Sequence, residues 1–156
     1  MKSKYKNVEN LIISSNSCNE LNSLNLNEYR YLKSIELGND CFSNVDLFKI
    51  DGLKSLKSLK IGMNSFTKIK NSWGNNPSRS FSILNCTELE SIEIGHHSFS
   101  DYGGGFELKN LPKLTTIKIG SIKTDYSDSS DMKRSTSFSC LSFVIRGIIE
   151  VIIANE

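Results

Sequence analysis

The sequence predicts a mainly β repeat solenoid, built of parallel stacked coils of roughly 24 residues with variable insertions. Three observations carry that expectation. An apolar motif of the form Φ-x-x-Φ-x-Φ starts at Val8, Leu32, Leu56, Leu89 and Leu114, with a partial copy at Val151. Within the copies, apolar and polar residues alternate at period two, as in half-buried strands. No segment sustains a helical period over about ten residues or more.

The copies are spaced by 24, 24, 33, 25 and 37 residues. The first predicted strand of each coil centres on Ile35-x-Leu37, Leu59-x-Ile61, Ile92-x-Ile94 or Ile117-x-Ile119. β-Branched residues are frequent there and suit a pleated, half-buried surface. Gly38, Gly62, Gly95 and Gly120 follow these strands, with Ser14 in the first copy. Glycine at that point is expected to supply a corner with unusual backbone angles.

A second apolar row runs on the opposite wall. It reads Leu24-x-Leu26-x-x-Tyr29, Phe48-x-Ile50-x-x-Leu53, Phe81-x-Ile83-x-x-Cys86, Phe106-x-Leu108-x-x-Leu111 and Phe143-x-Ile145-x-x-Ile148. The length variation falls in the connection leading to this row, measured from Cys18, Phe42, Phe66, Phe99 and Thr124. Segments 67–80 and 125–142 are therefore read as loop insertions on one face. Residues 1–156 are read as one domain of five coils plus an incomplete sixth, with Ala154 and Glu156 where buried residues are due.

The run Leu56-x-x-Leu59-x-Ile61-x-x-Asn64-x-Phe66 resembles the signature segment of leucine-rich repeats, with Phe for the last Leu. Ile61-Gly62-x-x-Ser65-Phe66 further resembles the BspA-like subfamily, whose units carry a Gly-x-x-Ala-Phe run. The family's Asn position is occupied by Asn16, Asp40, Asn64, His97 and Ile122 in turn. The resemblance covers about Val8 to Thr124. It implies a leucine-rich-repeat-like solenoid and a protein-interaction or adhesion-like module, since BspA-like proteins are typically surface adhesins.

Composition narrows the function classes. There are 19 basic and 17 acidic residues, a net charge of +2, with no basic cluster interleaved with aromatics. Nucleic acid is not an expected partner. No segment reaches the roughly 18 apolar residues of a membrane span. The N-terminus lacks the apolar stretch of a signal peptide. Cys18, Cys41, Cys86 and Cys140 show no metal spacing and are read as reduced. A cytoplasmic location is favoured on these two grounds. The C-terminal end, "FVIRGIIEVIIANE", has no polar cap, so self-association through it is expected. The alternative to an interaction module is a truncated fragment of a larger leucine-rich-repeat array.

Catalytic, metal and cofactor sites are not expected. His96-His97 are adjacent, and adjacent strand residues face opposite ways. Gly103-Gly104-Gly105 lacks the Lys-Ser/Thr of a phosphate loop. Asp125 to Asp131 lacks the Gly and Glu of a calcium loop, and hydroxyls after Lys133-Arg134 are weak phosphorylation candidates. Asn85-Cys86-Thr87 is a glycosylation sequon that matters only in a secreted chain. No nucleophile elbow occurs.

The candidate site is instead the outer face of the first strand row. Glu36, Lys60, Glu93 and Lys118 follow Ile12 in one row, and Ser34, Ser58, Ser91 and Thr116 follow Asn10 in the next. Stacking would align the first row with alternating charge and the second with hydroxyls. Such rows either pair among themselves, keeping the sheet soluble and in register, or form a polar recognition strip on the sheet face. The two are compatible.

Overall fold

The computed structural model describes residues 7–68 and 76–119, and the backbone of strands at 143–145 and 152–153. Its strands in chain order are β1 (Asn10–Ile13), β2 (Ser34–Leu37), β3 (Leu47–Asp51), β4 (Ser58–Ile61) and β5 (Ser80–Leu84). They continue as β6 (Ser91–Ile94), β7 (Phe106–Lys109), β8 (Thr116–Ile119), β9 (Phe143–Ile145) and β10 (Ile152–Ile153). There is no helix among the described residues.

The strands form two parallel sheets. One has the order β1-β2-β4-β6-β8-β10 and the other β3-β5-β7-β9. From β2 to β9 the chain alternates between them, so each first-sheet strand is followed by one in the second. The pairing aligns Leu11, Ile35, Leu59, Ile92 and Ile117 across five strands. The second sheet aligns Phe48, Phe81, Phe106 and Phe143. These are the rows that the apolar alternation predicts, because a slip by one residue would turn each row toward solvent.

The core between the sheets is organised by aromatic rings. Phe42, Phe66 and Phe99 stack with centroids 5.2 and 4.8 Å apart. Phe48, Phe81 and Phe106 stack at 4.9 and 4.3 Å. The two stacks meet edge to face, as Phe48 does with Phe66 and Phe81 with Phe99. Offset-stacked and edge-to-face pairs each add about 0.5–1.5 kcal/mol beyond area burial.

The corner after each first-sheet strand departs from expectation in an informative way. Gly38, Gly62 and Gly95 do not occupy the left-handed region. Their role is close approach. A Cβ on Gly62 would lie 2.5 Å from the Gly38 carbonyl carbon, and one on Gly95 would lie 2.5 Å from that of Gly62. The left-handed residues are Asn16, Asp40, Asn64 and His97, with φ of 54–59°. Asn, Asp and His are the non-glycine types most enriched in that conformation. Among the described residues the variable Asn position is therefore uniform in backbone terms; Ile122 lies outside them. Asn16, Asp40 and Asn64 each donate their N–H at 2.8 Å to a carbonyl of the following unit.

Two residues before the end of this corner run, the chain is left-handed once; at its end it is left-handed again, at Cys18, Phe42, Phe66 and Phe99. Between the two stands a hydroxyl or thiol, buried at Cys41, Ser65 and Ser98. Ser65 Oγ donates to Gly38 O at 2.8 Å and accepts from Cys41 N at 3.2 Å. Ser98 Oγ donates to Gly62 O at 2.6 Å and accepts from Ser65 N at 3.0 Å. Cys41 Sγ makes the same bond to Ser14 O at 3.2 Å. Ser65 and Ser98 thus each bridge two backbone groups of the unit before, and Cys41 reaches one.

Three further expectations meet the structure differently. Leu24-x-Leu26 forms no strand, although Leu26 is buried. Its segment is rich in Asn, and Asn25 Oδ1 accepts from Asn27 N at 3.1 Å, a local turn that competes with strand pairing. The last copy shifts register: Ile152 pairs with Lys118 and Ile153 with Ile119. That puts Ile153, and not Glu156, at the position following Ile119. The apolar run Val151-Ile152-Ile153 offers this register without placing a carboxylate there. The insertion read at 67–80 is structural at both ends, since Thr67 and Arg79 are buried and Ser80 opens β5. The insertion read at 125–142 lies outside the described residues.

Two substitutions test this architecture. Ile92→Asp should abolish cooperative folding, because Ile92 is fully buried and a carboxylate there would have no partner. Ser91→Asp, on the outer face, should leave a normal urea transition, and equal damage would refute the facing of β6. Ser98→Ala should cost about 1–3 kcal/mol by leaving buried Gly62 O and Ser65 N unsatisfied. Ser98→Cys should recover part of that loss in the same measurement, as Cys41 holds the equivalent place.

Candidate functional site

The six-stranded sheet turns one face to the core and one to solvent. Backbone pairing sets Glu36 beside Lys60, Lys60 beside Glu93, and Glu93 beside Lys118. The structure thus brings all four candidate charges into one continuous row. Lys60 Nζ lies 3.1 Å from Glu36 Oε1, and Lys118 Nζ lies 3.0 Å from Glu93 Oε1. Ser34, Ser58, Ser91 and Thr116 fall in the adjacent half-buried row, and Ser34 Oγ donates to Asn10 Oδ1 at 2.7 Å.

The pairing extends beyond the predicted rows. Lys33 meets Glu9 at 2.7 Å, and Lys113 meets Glu88 at 2.6 Å. Glu88 holds the Lys113 ammonium above its usual pKa, first through this hydrogen bond and then through its charge. All these side chains are substantially solvated, so each pair contributes little to stability. Chemically, the face offers alternating charge and hydroxyls at strand spacing, already matched among themselves. Ile12, 70% exposed, ends the charged row at β1.

Elsewhere the structure places the other candidates as follows. The His96 and His97 rings touch, with centroids 3.8 Å apart, where strand alternation would have separated them. His97 is left-handed, which breaks the alternation. No group of three or more metal-ligating side chains converges among the described residues. Gly103 and Gly104 donate to Asn76 O and Arg79 O at 2.9 and 2.8 Å. A Cβ on Gly104 would collide with Pro77 O, so this run is docked on the preceding connection and is no free corner.

Asn85 is exposed, but both ends of its amide are engaged. Its Nδ2 donates to Asp51 Oδ1 at 2.8 Å, and its Oδ1 accepts from Asn110 Nδ2 at 2.7 Å. The Asn85 bond, helped by Lys49, holds the Asp51 carboxyl below its usual range. A glycan at Asn85 would break that chain of amides. Cys18, Cys41 and Cys86 are free, and burial raises the Cys86 thiol above its ordinary pKa. Cys140 and Asp125 to Asp131 lie outside the described residues.

A groove of about 450 Å³ separates the strandless segment 22–27 from β3. Asn22, Asn25 and Asn27 line one side, Leu47 and Lys49 the other. No helix among the described residues is long and apolar enough to cross a membrane.

Sequence reading missed one cluster altogether. Arg79, fully buried, reaches Asp101 Oδ2 through Nη1 at 2.6 Å and the carbonyls of Ser43 and Val45 through Nη2 at 2.8 and 2.7 Å. Its guanidinium also lies 4.7 Å from the centre of the Tyr102 ring. An arginine in a polar insertion gives no signal of burial. The Ser-Phe and Cys-Phe pairs at 41–42, 65–66 and 98–99 recur in the sequence, which is the signal that could have found the bridging side chains. Among known proteins, no family model, curated protein or solved structure matches the chain.

The charged row predicts its own mutational response. Lys60→Glu would put three carboxylates on neighbouring strands and remove the 3.1 Å pair with Glu36. It should destabilise by about 1 kcal/mol, and by less in high salt because exposed charges are screened. Adding Glu36→Lys and Glu93→Lys restores alternation and should recover most of the loss in urea denaturation. A triple variant no more stable than Lys60→Glu alone would contradict the lateral pairing.

Proposed function

We propose that this chain is a leucine-rich-repeat-like β-solenoid that acts as a non-catalytic protein-interaction or adhesion-like module. Stacked repeats generate extended surfaces rather than single pockets, and such surfaces suit protein partners. The observation that carries the proposal is the solvated outer face of the six-stranded sheet. It presents Glu36, Lys60, Glu93 and Lys118 in sequence beside a row of hydroxyls.

The self-pairing of this face shapes the kind of binding it supports. A partner must offer charges in a complementary order to exchange with pairs that already exist. Electrostatic complementarity of that sort gives specificity and on-rate more than affinity. The partner is therefore a protein with a polar, charge-patterned surface, bound reversibly and in a salt-sensitive way.

The test is capture from extract with the intact chain, alongside a variant in which Glu36, Lys60, Glu93 and Lys118 are all Ala. Matched urea transitions should first establish that the variant is folded. A partner retained by the wild type, lost by the variant and released as salt rises supports the reading. A partner that binds both chains equally moves the site off this face.

A further inference from the structure

The search of the molecule leads to the buried cluster around Arg79, which the outer face does not use. Three successive connections meet there. Ser43, Val45 and Asp46 lie between β2 and β3, Thr67, Lys68 and Arg79 between β4 and β5, and Asp101 and Tyr102 between β6 and β7. Repeat arrays ordinarily hold together by contacts between adjacent units alone. In this cluster one arginine ties both adjacent units at once, and one tyrosine reaches a unit further.

We propose that Arg79, Asp101 and Tyr102 form a clamp that makes the units of β2–β3, β4–β5 and β6–β7 open as one cooperative block. Arg79 bonds backward to Ser43 O and Val45 O, within its own unit to Phe66 O at 3.3 Å, and forward to Asp101. Its Nε lies 3.4 Å from the Asp46 carboxylate. Tyr102 Oη donates to Val45 O at 2.6 Å, skipping the intervening unit entirely. Burial raises the Tyr102 phenol well above its ordinary pKa, which keeps this donor protonated. Asp101 Oδ2 also accepts from Lys68 N at 3.0 Å.

The backbone around the clamp is tied in as well. Asn76 bridges Tyr102, Gly104 N donates to Arg79 O, and Thr67 Oγ1 donates to His97 O at 2.8 Å. Opening the unit of β2 and β3 alone would strip two acceptors from a buried guanidinium and one from a buried phenol. Opening the unit of β6 and β7 alone would strip its closer and buried counter-ion, Asp101, leaving the half-exposed Asp46. Either event leaves a charge in a dry interior, which disfavours partial opening relative to opening all three units together. The two described ends of the insertion after β4, at Thr67–Lys68 and Arg79, are thus where the three units are tied together. This conclusion is independent of what the outer face binds.

Native-state hydrogen exchange on the intact chain, read by mass spectrometry at rising low denaturant, tests the clamp. In the wild type, peptides covering β2–β3, β4–β5 and β6–β7 should share one protection factor and one denaturant dependence. Arg79→Met with Asp101→Asn removes the ion pair without leaving a lone buried charge. In that double variant the β2–β3 peptides should part from the β6–β7 peptides by more than tenfold in protection. Should it not fold, Tyr102→Phe removes only the bond that skips a unit and should produce the same separation on a smaller scale. Separate protection of the three units in the wild type would overturn the proposal. So would a uniform loss in the variant that folds, with one shared dependence retained.

Discussion

The closeness of neighbouring backbones at the first-sheet corner is the constraint from which the rest follows. Each unit sits one strand spacing from the next, and the chain must turn there without a side chain in the way. Gly62 and Gly95 meet it by having no Cβ to strike the preceding carbonyl. Once glycine is spent on proximity, the turn itself falls to the residues after it. Asn, Asp or His takes the first left-handed step and Cys or Phe the second. A left-handed phenylalanine is uncommon, and it is held here because its ring lies in the stacked core. The bridging Ser65 and Ser98 then satisfy backbone groups that the turn would otherwise strand.

Much of this was legible before any coordinates. The strand rows were, because period-two alternation has a single physical meaning when one face is buried. Leu59, Ile92 and Ile117 could only align or turn outward. The charged row was legible for the same reason, as Glu36, Lys60, Glu93 and Lys118 inherit the register of their buried neighbours. The role of the glycines was read correctly in place and wrongly in cause, since a corner and a close approach leave the same residue in the sequence. Arg79 was not legible at all. Its burial depends on Asp101, 22 residues away, and on carbonyls of a different unit. No local pattern encodes that. The strandless segment 22–27 shows the opposite failure: the Leu24-x-Leu26 alternation reads as a strand and places Leu26 in the core, yet Asn-rich local turns prevail over strand pairing.

The outer face serves two ends with one arrangement. Its charges stabilise the sheet weakly, yet they discriminate between registers. A strand slipped by one residue would set apolar side chains beside the outer charges, and one slipped by two would set hydroxyls against charges. That selectivity among alignments is of more use to a stack of similar strands than raw stability, because similar strands are each other's nearest competitors. The same pattern gives the face a fixed order of charge, which a partner can read only in one direction.

The bridging hydroxyls have a consequence for how such a chain can change length. Every bridge points the same way along the stack, from a Ser or Cys to the glycine or serine carbonyl of the unit before. A tandem duplication of the 24 residues from Leu32 to Ser55 would therefore supply both halves of the junction, a carbonyl for the unit above and a donor for the unit below. The chain can grow there by copying, with no new chemistry required. Around Arg79 it cannot, since a unit inserted between Val45 and Tyr102 would carry them out of reach of each other. Gene duplication would thus find one stretch of this sequence open to elongation and another closed to it.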